Sequence, residues 1–109
     1  KDARTLSAAH DVGVVMRESG RTRDAIAWFK TCVEGRAEVL GDAHPLTLRT
    51  ASDTAEALEA AGMTELAATM ARSAIAVAEE IYEGSARGEK ALGEVTRARE
   101  VCARCGEGA

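Results

Sequence analysis

Apolar side chains recur every three or four residues along most of this chain, which is the spacing of one face of an α-helix. The first stretch ends near Gly20, a residue suited to the left-handed backbone that follows many helix C-termini. Its apolar positions follow 3-3-1-3 spacing and are Leu6, Ala9, Val12, Gly13 and Met16. This pattern predicts a first helix that buries one face.

Four more helices are predicted on the same grounds. Thr22 and Thr64 are placed to cap the second and fourth helices, and residues 41–45 and Gly62 end the second and third. The expected inward-facing residues are Ala25, Trp28, Phe29, Cys32, Val33, Val39, Leu40, Leu48, Ala51, Ala55, Leu58, Ala67, Met70, Ala71, Ala74, Ile75, Val77, Ala78, Ile81, Leu92, Val95, Ala98, Cys102 and Cys105. Short connections force antiparallel neighbours, so we expect two helical hairpins and one closing helix.

One pattern in the chain appears twice. Thr5-Leu6-x-x-Ala9-x-Asp11 returns 42 residues later as Thr47-Leu48-x-x-Ala51-x-Asp53, and Gly20-x-Thr22-x-x-Ala25 returns as Gly62-x-Thr64-x-x-Ala67. Repeats of this length indicate stacked supersecondary units, none of which can bury its apolar face alone. Arrays of this kind usually present a groove to a partner, so the repeat favours a binding function over catalysis.

Composition narrows the functional classes. The 109 residues are rich in Ala, carry a net charge of −4 and interleave charges of both signs. Nucleic-acid binding is therefore not expected, because it requires a basic patch or stripe. Neither a membrane span of roughly 20 apolar residues nor a secretory signal is visible. Since the chain begins with Lys1 and not Met, we expect a fragment of a longer protein.

The segment Leu40-Gly41-x-x-His44-Pro45-x-Thr47-Leu48 resembles the linker of 42-residue tetratricopeptide repeats of the kinesin-light-chain-like variety, which are common in bacterial regulators. The resemblance implies an all-α, right-handed α-solenoid of five helices in a single domain spanning residues 1–109. Repeat one then covers about 5–46, repeat two about 47–85, and a capping helix about 86–105. Arg99 stands in the capping helix where the repeats have a small residue, which implies that no further helix packs closely there.

The resemblance also implies where a partner binds, because the first helix of each repeat lines the concave surface. The positions carried over are Ser7, His10, Asp11, Val14, Arg17, Glu18, Arg49, Ser52, Asp53, Glu56 and Glu59, with Thr96, Arg97, Glu100 and Arg104 from the closing helix. Asp11 and Asp53 recur at the repeat period, and an ionised Asp only accepts hydrogen bonds. Asp11 and Asp53 therefore favour a protein or peptide partner with basic residues. The alternative is that both Asp residues are solvated or pair with Arg17, Arg49 or Arg97.

Cys102 and Cys105 form a C-x-x-C motif, a spacing found in zinc and redox sites. The chain has no second Cys pair to complete a zinc site, and the motif lies at the end of a helix, whereas a redox motif needs a helix N-terminus to lower its thiol pKa. We therefore expect both thiols, like that of Cys32, to pack in the core, with a metal or redox site as a remote alternative. No cofactor, metal or catalytic grouping is expected.

Besides the remote metal or redox site at Cys102 and Cys105, two functional hypotheses remain. The first is an interaction module, cytoplasmic because free cysteines suit a reducing compartment. The second is a structural module that binds itself. Two repeats are fewer than the roughly three that stabilise most arrays, so a homodimer could form through the exposed ends or by a helix swap about residues 41–45.

Overall fold

The computed structural model describes residues 2–82 and 89–107. Its first four helices are α1 (Ala3–Glu18), α2 (Thr22–Leu40), α3 (Pro45–Ala60) and α4 (Thr64–Tyr82). They are followed by α5 (Glu89–Glu94), α6 (Thr96–Cys102) and a π-helical turn (Ala103–Glu107), which we call the closing segment. The described residues contain no strand. This confirms the predicted all-α fold of two helical hairpins followed by closing helical structure.

Both hairpins close with the same turn. Gly20 and Gly62 have φ angles of 82° and 83°, and they follow α1 and α3 as the sequence predicts. The next residue donates its backbone N–H five residues back in each case, from Arg21 to the Met16 carbonyl at 2.8 Å and from Met63 to the Leu58 carbonyl at 2.9 Å. These are the bonds of a Schellman motif, in which Gly takes the left-handed position at no steric cost.

The link between the hairpins begins with Gly41, whose φ is 99°. His44 then caps α3, because its Nδ1 accepts the backbone N–H of Leu46 at 3.1 Å. Pro45 follows as the first helical residue, where its missing N–H costs no hydrogen bond. The caps expected at Thr22 and Thr64 are wrong, because both residues are already helical. The capping position before α2 holds Arg21, which makes no side-chain bond.

Successive helices pack against one another, and α6 lies against both α3 and α4. The largest fully buried apolar side chains are Phe29, Leu48, Val95 and Val101. Gly13 allows α1 to approach α2 closely, since a Cβ atom there would lie 2.6 Å from Cε1 of Phe29. Gly13, which the sequence places on the apolar face of the first helix, therefore has a steric reason to lack a side chain.

Three residues expected to face inward are exposed instead: Trp28 at 41%, Val39 at 48% and Ile81 at 58%. Phe29 takes the buried position beside Trp28, because adjacent residues on a helix point about 100° apart. Val39 and Ile81 are repeat equivalents, and both lie in the last turn of their helices. An apolar periodicity that continues to the helix end overestimates burial there.

The closing segment differs in detail from the single helix predicted over 86–105, of which residues 86–88 lie outside the described part. The break falls at Val95, whose N–H bonds the Leu92 carbonyl three residues back at 3.2 Å. The neighbouring Glu94 carbonyl accepts the hydroxyl of Ser52 at 2.8 Å. The Ser52 side chain on α3 thus donates a hydrogen bond to the backbone carbonyl at the point where the closing helix is interrupted. Arg99 is exposed and pairs with Glu79 at 2.8 Å.

Candidate partner-binding face

The polar residues that the sequence selects on α3 lie side by side and all meet other helices. We call them the α3 strip: Arg49, Ser52, Asp53, Glu56 and Glu59. Helical spacing of three or four residues brings them onto one face. The closing segment runs along this face and bonds to each of the five.

Arginines of the closing segment neutralise the acidic part of the α3 strip. Arg97 Nη1 lies 2.5 Å from Asp53 Oδ1 and 2.8 Å from Glu56 Oε1. Arg104 forms a two-pronged pair with Glu59, at 2.7 Å from Nε and 2.8 Å from Nη2. In the opposite sense, Arg49 of α3 donates to Glu94 at 2.7 Å. The α3 strip is therefore an ion-pair ladder and not a row of free side chains.

Asp53 is the centre of this network. Its side chain is only 5% exposed, and its Oδ2 lies 2.5 Å from Nε2 of His10 on α1. Arg17, also on α1, reaches within 3.6 Å of Oδ1. His10 and Arg17 in turn lie over Phe29, with ring centroids 5.5 Å apart and the guanidinium 5.8 Å from the ring centre. Asp53 thus joins α1, α3 and α6 through one carboxylate.

The pKa of Asp53 reflects these contacts. Burial raises it, but the hydrogen bonds and positive charges of His10 and Arg97 outweigh burial, so the pKa lies below the ordinary value of 3.8. The carboxylate is consequently ionised and already has its partners. The sequence left open whether the repeated Asp residues bind a basic partner or pair with arginines of this chain. Asp53 pairs with arginines of this chain.

Asp11, the repeat equivalent of Asp53, has a different environment. Its side chain is 82% exposed, and among the described residues the His10 imidazole lies nearest to it as a basic group, with Nδ1 at 4.0 Å. The reason is positional: α3 is flanked by α1 on one side and by α6 on the other, whereas α1 ends the described stack. Equivalent sequence positions therefore give one buried, paired carboxylate and one accessible carboxylate.

Of the six residues selected on α1, His10 and Arg17 pair with Asp53, and the other four remain at least partly accessible. We call the accessible set the α1 strip: Ser7, Asp11, Val14 and Glu18. Ser7, Asp11 and Glu18 are exposed, and Val14 is half-buried against the core. Within the concave positions carried over from the sequence, the α1 strip is the part that α6 does not cover.

Two contributors escaped the sequence reasoning. Glu94 pairs with Arg49 and accepts from Ser52, but its helix is too short and interrupted for periodicity to place it. Arg36, on α2, is 4% exposed and donates to neutral oxygens of α1 and α3. The repeat gave no signal for it, because the equivalent position in the second copy is Ala78.

The cysteines lie in packed surroundings. Cys32 donates to the Leu6 carbonyl at 3.2 Å, and Cys102 belongs to the main core cluster. Partial burial and the nearby Glu59 raise the pKa of the Cys105 thiol above its ordinary value. In the part of the chain described, no three His, Cys, Asp or Glu side chains are grouped as a metal site would require.

An apolar groove lies at the α1 end of the stack. Its volume is about 370 Å³, and its residues come from α1 and α2. Its lining residues are Thr5, Leu6, Ala8, Ala9, Val12, Trp28 and Thr31. This groove is separate from the polar α1 strip.

Comparison with known proteins gives one match. The family model described as tetratricopeptide repeat matches residues 4–80, which is most of the chain. No curated protein and no solved structure matched. In the described residues, no helix combines the length and apolarity that crossing a bilayer requires. The matched residues include both hairpins, with their shared turns and their helix crossings, and on this basis the chain belongs to the tetratricopeptide repeat family.

Proposed function

We propose that this chain is a protein–protein interaction module that binds a peptide or a partner segment on its concave face, chiefly at the α1 strip. Tetratricopeptide repeats generally mediate protein–protein interactions and typically act as non-enzymatic scaffolds. The observation that supports the α1 strip is the contrast between the two first helices. The closing segment bonds to every residue of the α3 strip, whereas Ser7, Asp11 and Glu18 remain exposed.

The contrast also revises the expected chemistry of the partner. Asp53 is balanced by His10, Arg17 and Arg97, so it has little charge left for a ligand. A preference for basic residues therefore rests on Asp11 and Glu18, which lie two helical turns apart on α1. Val14, between them, offers an apolar contact. A segment with a basic residue flanking a small apolar side chain fits this strip.

Peptides selected from a random displayed library against the whole chain test this proposal. The best binders are measured by calorimetry against the wild type, Asp11→Arg and Val14→Glu. The matched control is Asp24→Arg, which makes the same charge change on α2, where Asp24 is 51% exposed. We expect the two α1 variants to weaken binding by about tenfold or more, since close charge pairs and buried anchors each contribute over 1 kcal/mol. Equal affinities for all four proteins would refute the α1 strip as the binding surface.

Self-assembly is a second candidate, favoured by the apolar groove beside Trp28. Exposed apolar grooves are frequent association sites, and Trp is among the residues that contribute most to interfaces. Light scattering across a wide concentration range decides this point. A dimer that dissociates in Trp28→Ala would support self-assembly through the groove, whereas a monomer at all concentrations would leave the interaction module as the sole proposal.

A further inference from the structure

Arg36 is a buried cation whose described hydrogen-bond acceptors are all neutral. Its residue is 4% exposed, and its guanidinium donates to the Thr50 hydroxyl at 2.7 Å, the Leu46 carbonyl at 3.3 Å and the Ser7 hydroxyl at 3.3 Å. All three acceptors are neutral. Among the residues that the structure describes, no carboxylate lies within 4.0 Å of Arg36. Arg97, by contrast, has two carboxylates within 2.8 Å.

Burying the Arg36 guanidinium among neutral acceptors costs free energy of folding. Arg is almost never fully buried unless it is paired, because removing its charge from water costs several kcal/mol that neutral acceptors only partly offset. An anion close to the guanidinium would recover part of that cost. An anion must reach the guanidinium from the protein surface.

Ser7 connects Arg36 to the surface. Its residue is exposed, and its Oγ accepts from Nη2 of Arg36. A hydroxyl that accepts one hydrogen bond can still donate its own hydrogen, and no described residue accepts it. Donation from a cation polarises the hydroxyl and strengthens it as a donor. An oxygen anion at the surface can therefore bond to Ser7 and be attracted by Arg36 directly below.

A second cation lies beside this point. Arg4 is exposed and precedes Ser7 by three residues, so the two are neighbours on the surface of α1. Asp11 lies on the opposite side of Ser7, four residues further along, and repels an anion. Asp2, whose carboxylate caps the beginning of α1, repels an anion from the other side, so the attraction is confined to the surface around Ser7 and Arg4.

We propose that Ser7, with Arg36 beneath it and Arg4 beside it, is a site for an oxygen anion, and that its natural ligand is a carboxylate side chain of the bound peptide. The identity of the ligand rests on the proposed function, whereas the anion site itself does not depend on it. The partner segment then carries an acidic residue facing the beginning of α1 and a basic residue facing Asp11. The two opposite charges would fix its direction in the groove.

The test uses sodium acetate and inorganic phosphate as probes, each exchanged against chloride at constant ionic strength. Amide and Arg Nε–H shifts in ¹H–¹⁵N spectra report binding to the whole chain. The variants are Arg36→Gln and Ser7→Ala, and Arg23→Gln is the control because it makes the same charge change at an exposed residue of α2. Ser7→Ala changes an exposed side chain, so it preserves the fold even if Arg36→Gln does not.

We expect both probes to give saturable shifts centred on residues 7, 36 and 46. The affinity should fall about tenfold or more in Arg36→Gln and Ser7→Ala, the usual effect of losing a charge-assisted hydrogen bond. It should be unchanged in Arg23→Gln and higher in Asp11→Asn. Shifts that do not saturate, or equal affinities in Ser7→Ala and Arg23→Gln, would overturn the site.

Saturation by phosphate without acetate would overturn the carboxylate assignment. Because the probes need no partner, this experiment and the peptide selection fail independently of each other.

Discussion

Replacing Asp53 by Asn should destabilise the fold far more than the same replacement at its repeat equivalent, Asp11. Asp53→Asn keeps the size of the side chain but removes the charge that His10, Arg17 and Arg97 share. Asp11→Asn makes the identical chemical change on a side chain that is 82% exposed. The pair is therefore a matched comparison that the repeat itself provides.

The magnitude follows from burial. Removing one member of a buried ion pair costs roughly 3–5 kcal/mol because the remaining charge is left uncompensated. The side chains of Arg17 and Arg97 are 32% and 39% exposed, and Arg97 keeps Glu56, so water and the second carboxylate recover about half of that cost. We expect a loss of about 2 kcal/mol in the free energy of unfolding, or roughly 10 °C in Tm for a domain of this size. Asp11→Asn should stay within about 0.5 kcal/mol of the wild type.

Urea unfolding followed by circular dichroism at neutral pH measures both variants. A double-mutant cycle between Asp53→Asn and Arg97→Gln then isolates the pairwise term, since each single change removes the same contact. Equal destabilisation by Asp53→Asn and Asp11→Asn would refute the claim that the ion pairs of Asp53 stabilise the fold. So would a coupling energy near zero, because it would mean that the carboxylate and Arg97 do not interact in solution.

Three further predictions follow from single contacts. Gly13→Ala should lower the free energy of unfolding by about 1–3 kcal/mol, because its Cβ would meet the ring of Phe29. Gly93→Ala has no atom within 4 Å of its Cβ and should leave the free energy of unfolding unchanged or raise it by up to about 1 kcal/mol. Equal urea midpoints for the two variants would contradict this. The pKa of Asp53 lies below 3.8 in the folded state, so its contribution to stability is full above that value and is lost as the pH falls through the folded pKa. Acid titration of unfolding should show this loss in the wild type and not in Asp53→Asn. The raised pKa of the Cys105 thiol should make alkylation at neutral pH slower in the folded than in the urea-unfolded protein, and equal rates would argue against it.

The sequence was most informative where local rules apply. The apolar period placed α1 to α4, and two glycines marked the turns that the structure closes with identical backbone hydrogen bonds. Glycine at these positions is demanded by a left-handed backbone, a property of one residue and its neighbours. The same local logic failed at Thr22, because a capping residue and a first helical residue cannot be told apart from composition alone.

The sequence was least informative where the answer depends on which helix lies alongside. Asp11 and Asp53 occupy the same place in the repeat, yet one is exposed and the other is the centre of an ion-pair network. Asp53 has cations of both α1 and α6 beside it, whereas Asp11 lies on the helix that ends the described stack, and a repeat period carries no information about which position ends a stack. Arg36 illustrates the same point, since its burial depends on contacts with two other helices.

A map of the peptide contact surface tests whether the partner binds at the α1 strip. Backbone amide shifts in ¹H–¹⁵N spectra would be recorded as a library-selected peptide is titrated into the whole chain. We expect the largest shifts at residues 7, 11, 14 and 18 of α1, with the ion-pair ladder of α3 little changed. Shifts confined to α2 and α4 would contradict it, because the partner would then bind outside the concave face.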